Sequence, residues 1–386
     1  MTWIKDRPIN LLELRATYTT GGGPDKTILL SAERHDKTIV NPIVVYLKDK
    51  DDNNFQIGRM AEGRGFKYIE VLDRGKIDIK CIIELNEIVR KYKIDIIHGH
   101  DYKTDILAYI LGLLNPKVHL VSTAHGWIAD TLKGSLYKWL HLIILRRFKN
   151  LITVSQATKQ VMVKSGINAD KIRVVYNGID EKHWNRSDHH VSLRKEWRIL
   201  EDSIVVGTVG RIGNEKDYFT FLNVAKVITD QIDNVFFVIV GEGKSNEKEE
   251  LVAYAEKTGI RDKVIFTGYR EDLLSVYKTF DIFLMTSITE GLPNTMLEAL
   301  SMGLPVVSTN VGGVKELMAD GETGFLCKSR DVVCLVDNTI KIIKSKELRE
   351  STSKAARARI LNQFSFDKRL QLIEKYYVSI LSNNTN

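Results

Sequence analysis

The sequence predicts an α/β protein built from two parallel-sheet domains, and three observations carry that expectation. Runs rich in β-branched and aliphatic residues alternate with helical-period segments through both halves of the chain, the pattern of buried strands under covering helices. A length of 386 residues exceeds one ordinary core and suits two domains of common size. Residues 181–202 are polar, contain EKHWNRSDHH and have no clean period, which places a linker there. The expected domains are therefore 1–186 and 187–363. The segment 364–386 carries Phe366, Leu370, Ile373, Tyr377 and Ile380 at helical spacing, a last amphipathic helix.

In the first half, strands are expected over 9–14, 42–47, 94–98, 118–123, 151–154 and 172–175, with helices over 26–33, 80–92, 104–114, 136–148 and 157–165. After the first strand, Thr19-Thr20-Gly21-Gly22-Gly23-Pro24 opens a helix. Its glycines let backbone amides approach an anion without interference from a Cβ, which marks Gly22 and Gly23 as candidate ligand contacts. Two histidine clusters stand at strand ends: His98 and His100 in IHGHD, with Asp101 beside them, and His125 in STAHGW. Side chains at the carboxyl ends of parallel strands are the ones that reach a ligand.

Residues 133–149, KGSLYKWLHLIILRRFK, hold five basic residues and no acidic one, and Leu136, Trp139, Leu140, Ile143 and Ile144 recur at helical spacing. Two readings fit this helix. It packs its stripe on a sheet, or it lies on an anionic membrane surface.

In the second half, strands are expected over 204–209, 235–240, 264–267, 282–285, 306–308 and 324–326. Helices over 217–229, 248–258, 273–278, 294–302 and 314–318 separate them. The first strand ends in Gly210-Arg211-Ile212-Gly213-Asn214-Glu215-Lys216-Asp217, where two cations flank a glycine-containing turn. Fixed cations of this kind stabilise a departing phosphate. Further on, SITEGLPNTMLEALSMGLPVVSTNV at 287–311 places Glu290 and Glu298 eight positions apart across a Gly-Leu-Pro turn into a helix. Pro293 suits a first helical turn and Gly303 a helix end. The amides of Gly291, Leu292, Asn294 and Thr295 gather near that helix N-terminus, a site for a diphosphate. The two carboxylates, roughly 12 Å apart at the rise of a regular helix, suit a ligand with hydroxyls at both ends.

Whole-chain properties exclude several classes. Hydrophobic content of 44% and aromatics at 8% describe a globular protein. Cys81, Cys327 and Cys334 form no Cys-x-x-Cys pair and leave one unpartnered in any scheme, from which a reducing compartment is expected. The start lacks a secretory apolar core and no apolar run spans a bilayer, so a cytoplasmic location is expected. The basic excess sits in 1–186, with 30 Lys+Arg against 21 Asp+Glu, whereas 187–386 has 26 against 28. No nucleic-acid motif accompanies it. The single Asp-x-Asp, at Asp49-Lys50-Asp51, lies in a run of charges and is read as a solvated loop.

These motifs together resemble the retaining GT-B glycosyltransferases of the family 4 or group 1 type, strongest from Arg211 to Phe325. The resemblance implies two Rossmann-like domains facing across a cleft, with the C-terminal helix crossing back to the first. It also implies transfer of a sugar from a nucleoside-diphosphate sugar, such as a UDP- or GDP-sugar, to an acceptor hydroxyl in polysaccharide, lipopolysaccharide or glycolipid assembly. No cofactor or metal is expected. Carried over residue by residue, Arg211 and Lys216 hold the donor diphosphate, Glu290 the sugar hydroxyls, Glu298 the ribose and His125 the sugar near its reacting carbon. Gly22, Gly23, Gly210, Gly241, Gly291, Leu292, Pro293, Asn294 and Thr295 line the donor, Tyr269 and Arg270 border its base, and His100 and Asp101 lie on the acceptor side. Asp217 departs from the family, which has Gly there. Lipid-linked or saccharide acceptors, and contact with the inner face of an anionic membrane, are the implied partners. Two rival readings are a GT-B nucleotide-sugar epimerase and a non-catalytic nucleotide-sugar-binding subunit.

Overall fold

A computed structural model describes residues 7–19, 21–75, 78–126, 132–186, 191–243 and 245–382. Thr20, Trp127, residues 187–190 of the polar segment and the Asn383-Asn384-Thr385 sequon lie outside the described residues. The chain forms two compact units, one running to Asn177 and resuming at Asp367, the other Gly178–Phe366.

The first unit contains β1 (Ile9–Ala16), α1 (Gly23–Arg34), β2 (Val40–Asp49), α2 (Ile57–Ala61), β3 (Lys67–Asp73), α3 (Ile79–Lys91), β4 (Ile96–Gly99), α4 (Tyr102–Leu114), β5 (His119–Ala124), α5 (Leu132–Leu145), β6 (Asn150–Thr153), α6 (Gln156–Lys164) and β7 (Ile172–Val174). Its seven strands are parallel in the order β3-β2-β1-β4-β5-β6-β7. Interior strands covered on both faces read as continuous apolar runs, and Leu11, Leu12 and Leu14 of β1 are fully buried. β3, absent from the sequence expectation, is an edge strand paired to β2 alone. Its sequence KYIEVLD carries three charged residues, and only Val71 and Asp73 are buried, as on an edge half open to water.

The second unit contains β8 (Ile204–Val209), α7 (Tyr218–Thr229), β9 (Val235–Val240), α8 (Ser245–Lys257), β10 (Val264–Gly268), α9 (Leu273–Thr279), β11 (Ile282–Met285), α10 (Asn294–Ser301), β12 (Val306–Thr309), α11 (Val314–Leu317), β13 (Gly324–Cys327), α12 (Val332–Lys344) and α13 (Lys346–Gln363). Its parallel sheet has the order β10-β9-β8-β11-β12-β13. In both units strand order reverses beside the first strand, at β1/β4 and at β8/β11. Open α/β sheets bind ligands outside the carboxyl ends of strands at such a switch point.

The last helix, α14 (Phe366–Ser382), covers one face of the first sheet. Leu370, Ile373, Tyr377 and Ile380 pack with Ile9, Leu11, Val40, Ile96, Val121, Ile152 and Val175. The expected return of the C-terminal helix to the first domain is therefore present, driven by burial of its apolar stripe.

Three expectations need correction or refinement. Residues of the polar segment 181–202 belong to the second unit. Trp184 meets Tyr277 edge-on with ring centroids 5.6 Å apart, Arg186 donates to the carbonyls of Lys278 and Phe280, and Arg194 pairs with Asp281 at 2.7 Å. Cys327 and Cys334 are joined by a disulfide and Cys81 is free and buried, because the end of β13 and the start of α12 bring the two Cα atoms within 5.8 Å. The helix at 133–149 buries only part of its expected stripe, with Ile143 and Ile144 half-buried and Ile144 packed against the core. His141, Leu142, Leu145 and Phe148 face the core while Leu136, Trp139 and Leu140 are exposed.

Candidate functional site

At the β8/β11 switch point the sequence brings its cations and carboxylates together. β8 ends at Val209, and the turn that follows delivers Lys216 beside Glu290, which follows β11. Lys216 Nζ lies 2.6 Å from Glu290 Oε1, and Ser287 Oγ donates to the same oxygen at 2.7 Å. The two segments are also stitched through the backbone. Ile288 N donates to Glu215 O at 2.9 Å, and Thr286 Oγ1 donates to the carbonyls of Lys216 and Asp217. Arg211, 65% exposed, pairs with Glu215 at 2.6 Å.

Asp217 explains its own departure from glycine. It sits at φ 47 and ψ 54, the left-handed region, which Asp tolerates better than most residues. Its carboxylate then caps α7, accepting from Thr220 Oγ1 at 2.8 Å and pairing with Arg330. The side chain thereby serves the helix start while the backbone keeps the turn.

The carboxylate of Glu298 is buried inside α10 and accepts from the Tyr277 hydroxyl at 2.8 Å. Burial, with Glu298 alongside, pushes the Tyr277 phenol well above its ordinary range, so it remains a donor. α10 begins at Asn294 with Pro293 as N-cap and no side-chain cap. Gly291 and Leu292 lead into it, and Thr295 in its first turn gives its carbonyl to Tyr277.

Two glycines permit close backbone crossings here. A Cβ on Gly312, at φ +53, would stand 1.8 Å from Glu290 O, and one on Gly241, at φ +145, would stand 1.9 Å from Gly210 O. Gly313 N donates to Gly291 O at 2.8 Å, bracing the turn that carries Glu290. Tyr269 is 55% exposed after β10, and Arg270 beside it pairs with Asp272 and Glu196. A cavity of about 340 Å³ opens next to the 211–217 turn, lined in part by Asn214, Asp217, Phe219, Glu250 and Arg330.

In the first unit, the histidines expected at strand ends form a buried polar cluster with Glu13. His100 Nε2 lies 2.5 Å from Glu13 Oε2 and His100 Nδ1 lies 3.2 Å from His125 Nε2. His98 meets the Tyr377 hydroxyl through Nδ1 and Thr123 Oγ1 through Nε2, each at 2.7 Å. Burial raises the Glu13 carboxyl, yet the neighbouring His98 and His100 hold it well below its usual value. Burial, then His98, lowers His100 to about 4, and burial, then His100, holds His125 well below the usual range.

Other candidates of this unit have local duties. Asp101 caps α4, accepting from the amides of Lys103 and Thr104, and also accepts from Ala16 N. The Gly22 amide donates to Asp25, and α1 begins at Gly23.

Lys216 and Glu290 thus meet, as do His100 and His125, while Arg211, Glu298 and Arg270 take separate partners. Sequence reading missed Ser287, Tyr277, Glu13 and Tyr377. Glu13 had left a signal, being the one carboxylate in INLLELRA, since an acidic residue inside a buried strand needs a partner. Tyr277 and Tyr377 left none, because tertiary packing alone brings them to their carboxylates.

Comparisons with known proteins give the family and the fold. Residues 22–183 match the family model described as Glycosyltransferase Family 4, and residues 192–359 the one described as Glycosyl transferases group 1. The chain is 29% identical over 314 residues to a UDP-Gal:alpha-D-GlcNAc-diphosphoundecaprenol alpha-1,3-galactosyltransferase of Escherichia coli, covering 79% of this chain and 81% of the relative. It is 25% identical to a capsular polysaccharide biosynthesis glycosyltransferase of Staphylococcus aureus, with 80% and 82% covered. Among solved structures, the Anabaena protein HepE in complex with UDP-glucose has the same fold, with a TM-score of 0.84 at 20% identity over 96% of this chain and all of that one.

Proposed function

The chain belongs to the group 1 and family 4 glycosyltransferases, and from that premise we propose that it moves a sugar, with retention, from a nucleoside-diphosphate sugar to an acceptor hydroxyl. The observation that carries this reading is the contact of Lys216 with Glu290 at the β8/β11 switch point. In the proposed reaction the diphosphate draws Lys216 from Glu290, which frees that carboxylate for the hydroxyls of the sugar. Arg211 exchanges Glu215 for phosphate, and the amides opening α10 add fixed positive potential. Glu298, held by the Tyr277 hydroxyl, binds the ribose, while Tyr269 and Arg270 border the base. These groups stabilise the leaving diphosphate more as its charge grows, so the reaction proceeds without a metal. The leaving phosphate oxygen takes the acceptor proton on the same face of the sugar.

The first unit presents the acceptor and contributes His125 as a saccharide contact, with His100 and Asp101 on that side and Gly22 and Gly23 as further contacts. Relatives named for diphosphoundecaprenol and capsular polysaccharide work support a lipid-linked or saccharide acceptor. No described helix is long and apolar enough to cross a membrane. Exposed Leu136, Trp139 and Leu140, followed by Arg146, Arg147 and Lys149, support peripheral docking of α5 on anionic lipid.

The test is a panel of nucleotide sugars screened for thermal stabilisation, followed by transfer assays with the stabilising donor and anomeric analysis of the product by NMR. Inversion at the anomeric carbon would overturn the retaining mechanism. Stabilisation without transfer or hydrolysis would favour a binding subunit.

A further inference from the structure

The polar cluster of the first unit has a direction that follows from counting its hydrogens. Glu13 is ionised, so its oxygens only accept. His100 Nε2, 2.5 Å from Glu13 Oε2, therefore carries the hydrogen of that contact. A neutral imidazole with its hydrogen on Nε2 has a lone pair on Nδ1, and His125 Nε2 lies 3.2 Å from that atom. His125 must then donate through Nε2. Its Nδ1 is buried with no hydrogen-bond partner among the described residues, although the residue keeps partial exposure.

We propose that Glu13, acting through His100, is a positioning residue that holds His125 in the Nε2–H tautomer and so presents Nδ1 as a fixed hydrogen-bond acceptor for a substrate hydroxyl. The hydroxyl as ligand rests on the glycosyl-transfer reading, whereas the tautomer does not. The surroundings oppose a second proton on the pair. Arg15 donates to His100 O at 2.6 Å, Arg369 is buried nearby and acts on His125 with His98, and Tyr377 adds only a hydroxyl.

Glu13, His98 and His100 each offer a ligand atom within 4.8 Å of the others, a spacing open to a metal ion. The contacts favour the hydrogen-bonded arrangement: both His98 nitrogens have hydroxyl partners, and His100 Nε2 donates to ionised Glu13 across 2.5 Å, a charge-assisted hydrogen bond.

The test is long-range proton–nitrogen correlation NMR on the full chain labelled with 15N-histidine, at pH 7.5 and without donor, the His125 signals assigned with His125→Gln. The expected spectrum has His125 Nε2 protonated and Nδ1 bare. Glu13→Leu and His100→Leu should mix the tautomers and lower transfer at least tenfold. His100→Gln should restore both, since its amide can donate to Glu13 and accept from His125. A wild-type His125 bearing hydrogen on Nδ1 would overturn the proposal even if the leucine variants fail to fold. So would folded leucine variants with an unchanged tautomer, or stoichiometric metal in the purified protein. An inactive wild type with the expected spectrum sinks the transfer reading and leaves the tautomer standing.

Discussion

Lowering the pH should destabilise the first unit through His100, by an amount its environment sets. In the unfolded chain the ring titrates near 6.5, and in the fold burial and His98 lower it to about 4. Between those values the unfolded state binds a proton that the native state refuses, so stability falls as pH drops from about 6.5 to about 4 and levels off below. A full displacement of this size corresponds to about 3 kcal/mol. At pH 4.5 about 2–3 kcal/mol of it is lost relative to pH 7.5, or about 5–10 °C in the melting of a unit this size. The groups facing the ring are Glu13 and Arg15 from β1, His98 from β4 and His125 after β5, while the Tyr377 hydroxyl of α14 reaches Glu13. Calorimetric melts of the wild type and His100→Gln from pH 7.5 to 4.5 isolate the share of this one residue. The glutamine variant should lose about 2–3 kcal/mol less over that range. Parallel curves for the two proteins would refute a neutral buried His100.

Other perturbations separate the parts of the second unit. Gly312→Ala adds a Cβ 1.8 Å from Glu290 O at a left-handed φ, so urea unfolding should show a loss of roughly 2–5 kcal/mol from crowding and backbone strain. Tyr277→Phe removes the donor to buried Glu298 and should cost about 1.5–3 kcal/mol in the same assay, with weaker nucleotide-sugar binding by calorimetry. Replacing Trp139 and Leu136 by Ser should release the protein from phosphatidylglycerol vesicles in co-sedimentation while the melting temperature stays within a few degrees. Unchanged sedimentation would assign those exposed side chains no lipid role.

The legible parts of this protein were those governed by period and by local turn chemistry. Interior strands such as β9, VFFVIV, announce themselves because burial on both faces leaves no polar position. β3 does not, since an edge strand keeps charges on its open side. Lys216 and Glu290 were recognisable as candidates, but their contact depends on β8 and β11 being neighbours across a crossover, 74 positions apart in sequence. The stripe of the 133–149 helix was misread because apolar residues occupy nearly its whole circumference, and spacing alone cannot choose which arc meets the sheet. The polar 181–202 segment hid its anchors for the opposite reason: Trp184, Leu193 and Ile199 are buried among charged neighbours. The cysteines were read by count, whereas only the approach of β13 to α12 decides which two meet.

The measurement closest to the central claim is calorimetric titration of the donor selected by the nucleotide-sugar panel into wild type, Lys216→Ala and Glu290→Gln, with transfer rates on the same preparations. Both variants should fold, and both should lose transfer by about two to three orders of magnitude, the ~2.7–4 kcal/mol typical of one preorganised stabilising group. Lys216→Ala should also bind the donor more weakly. Wild-type binding and turnover in both variants would contradict the assignment of this site.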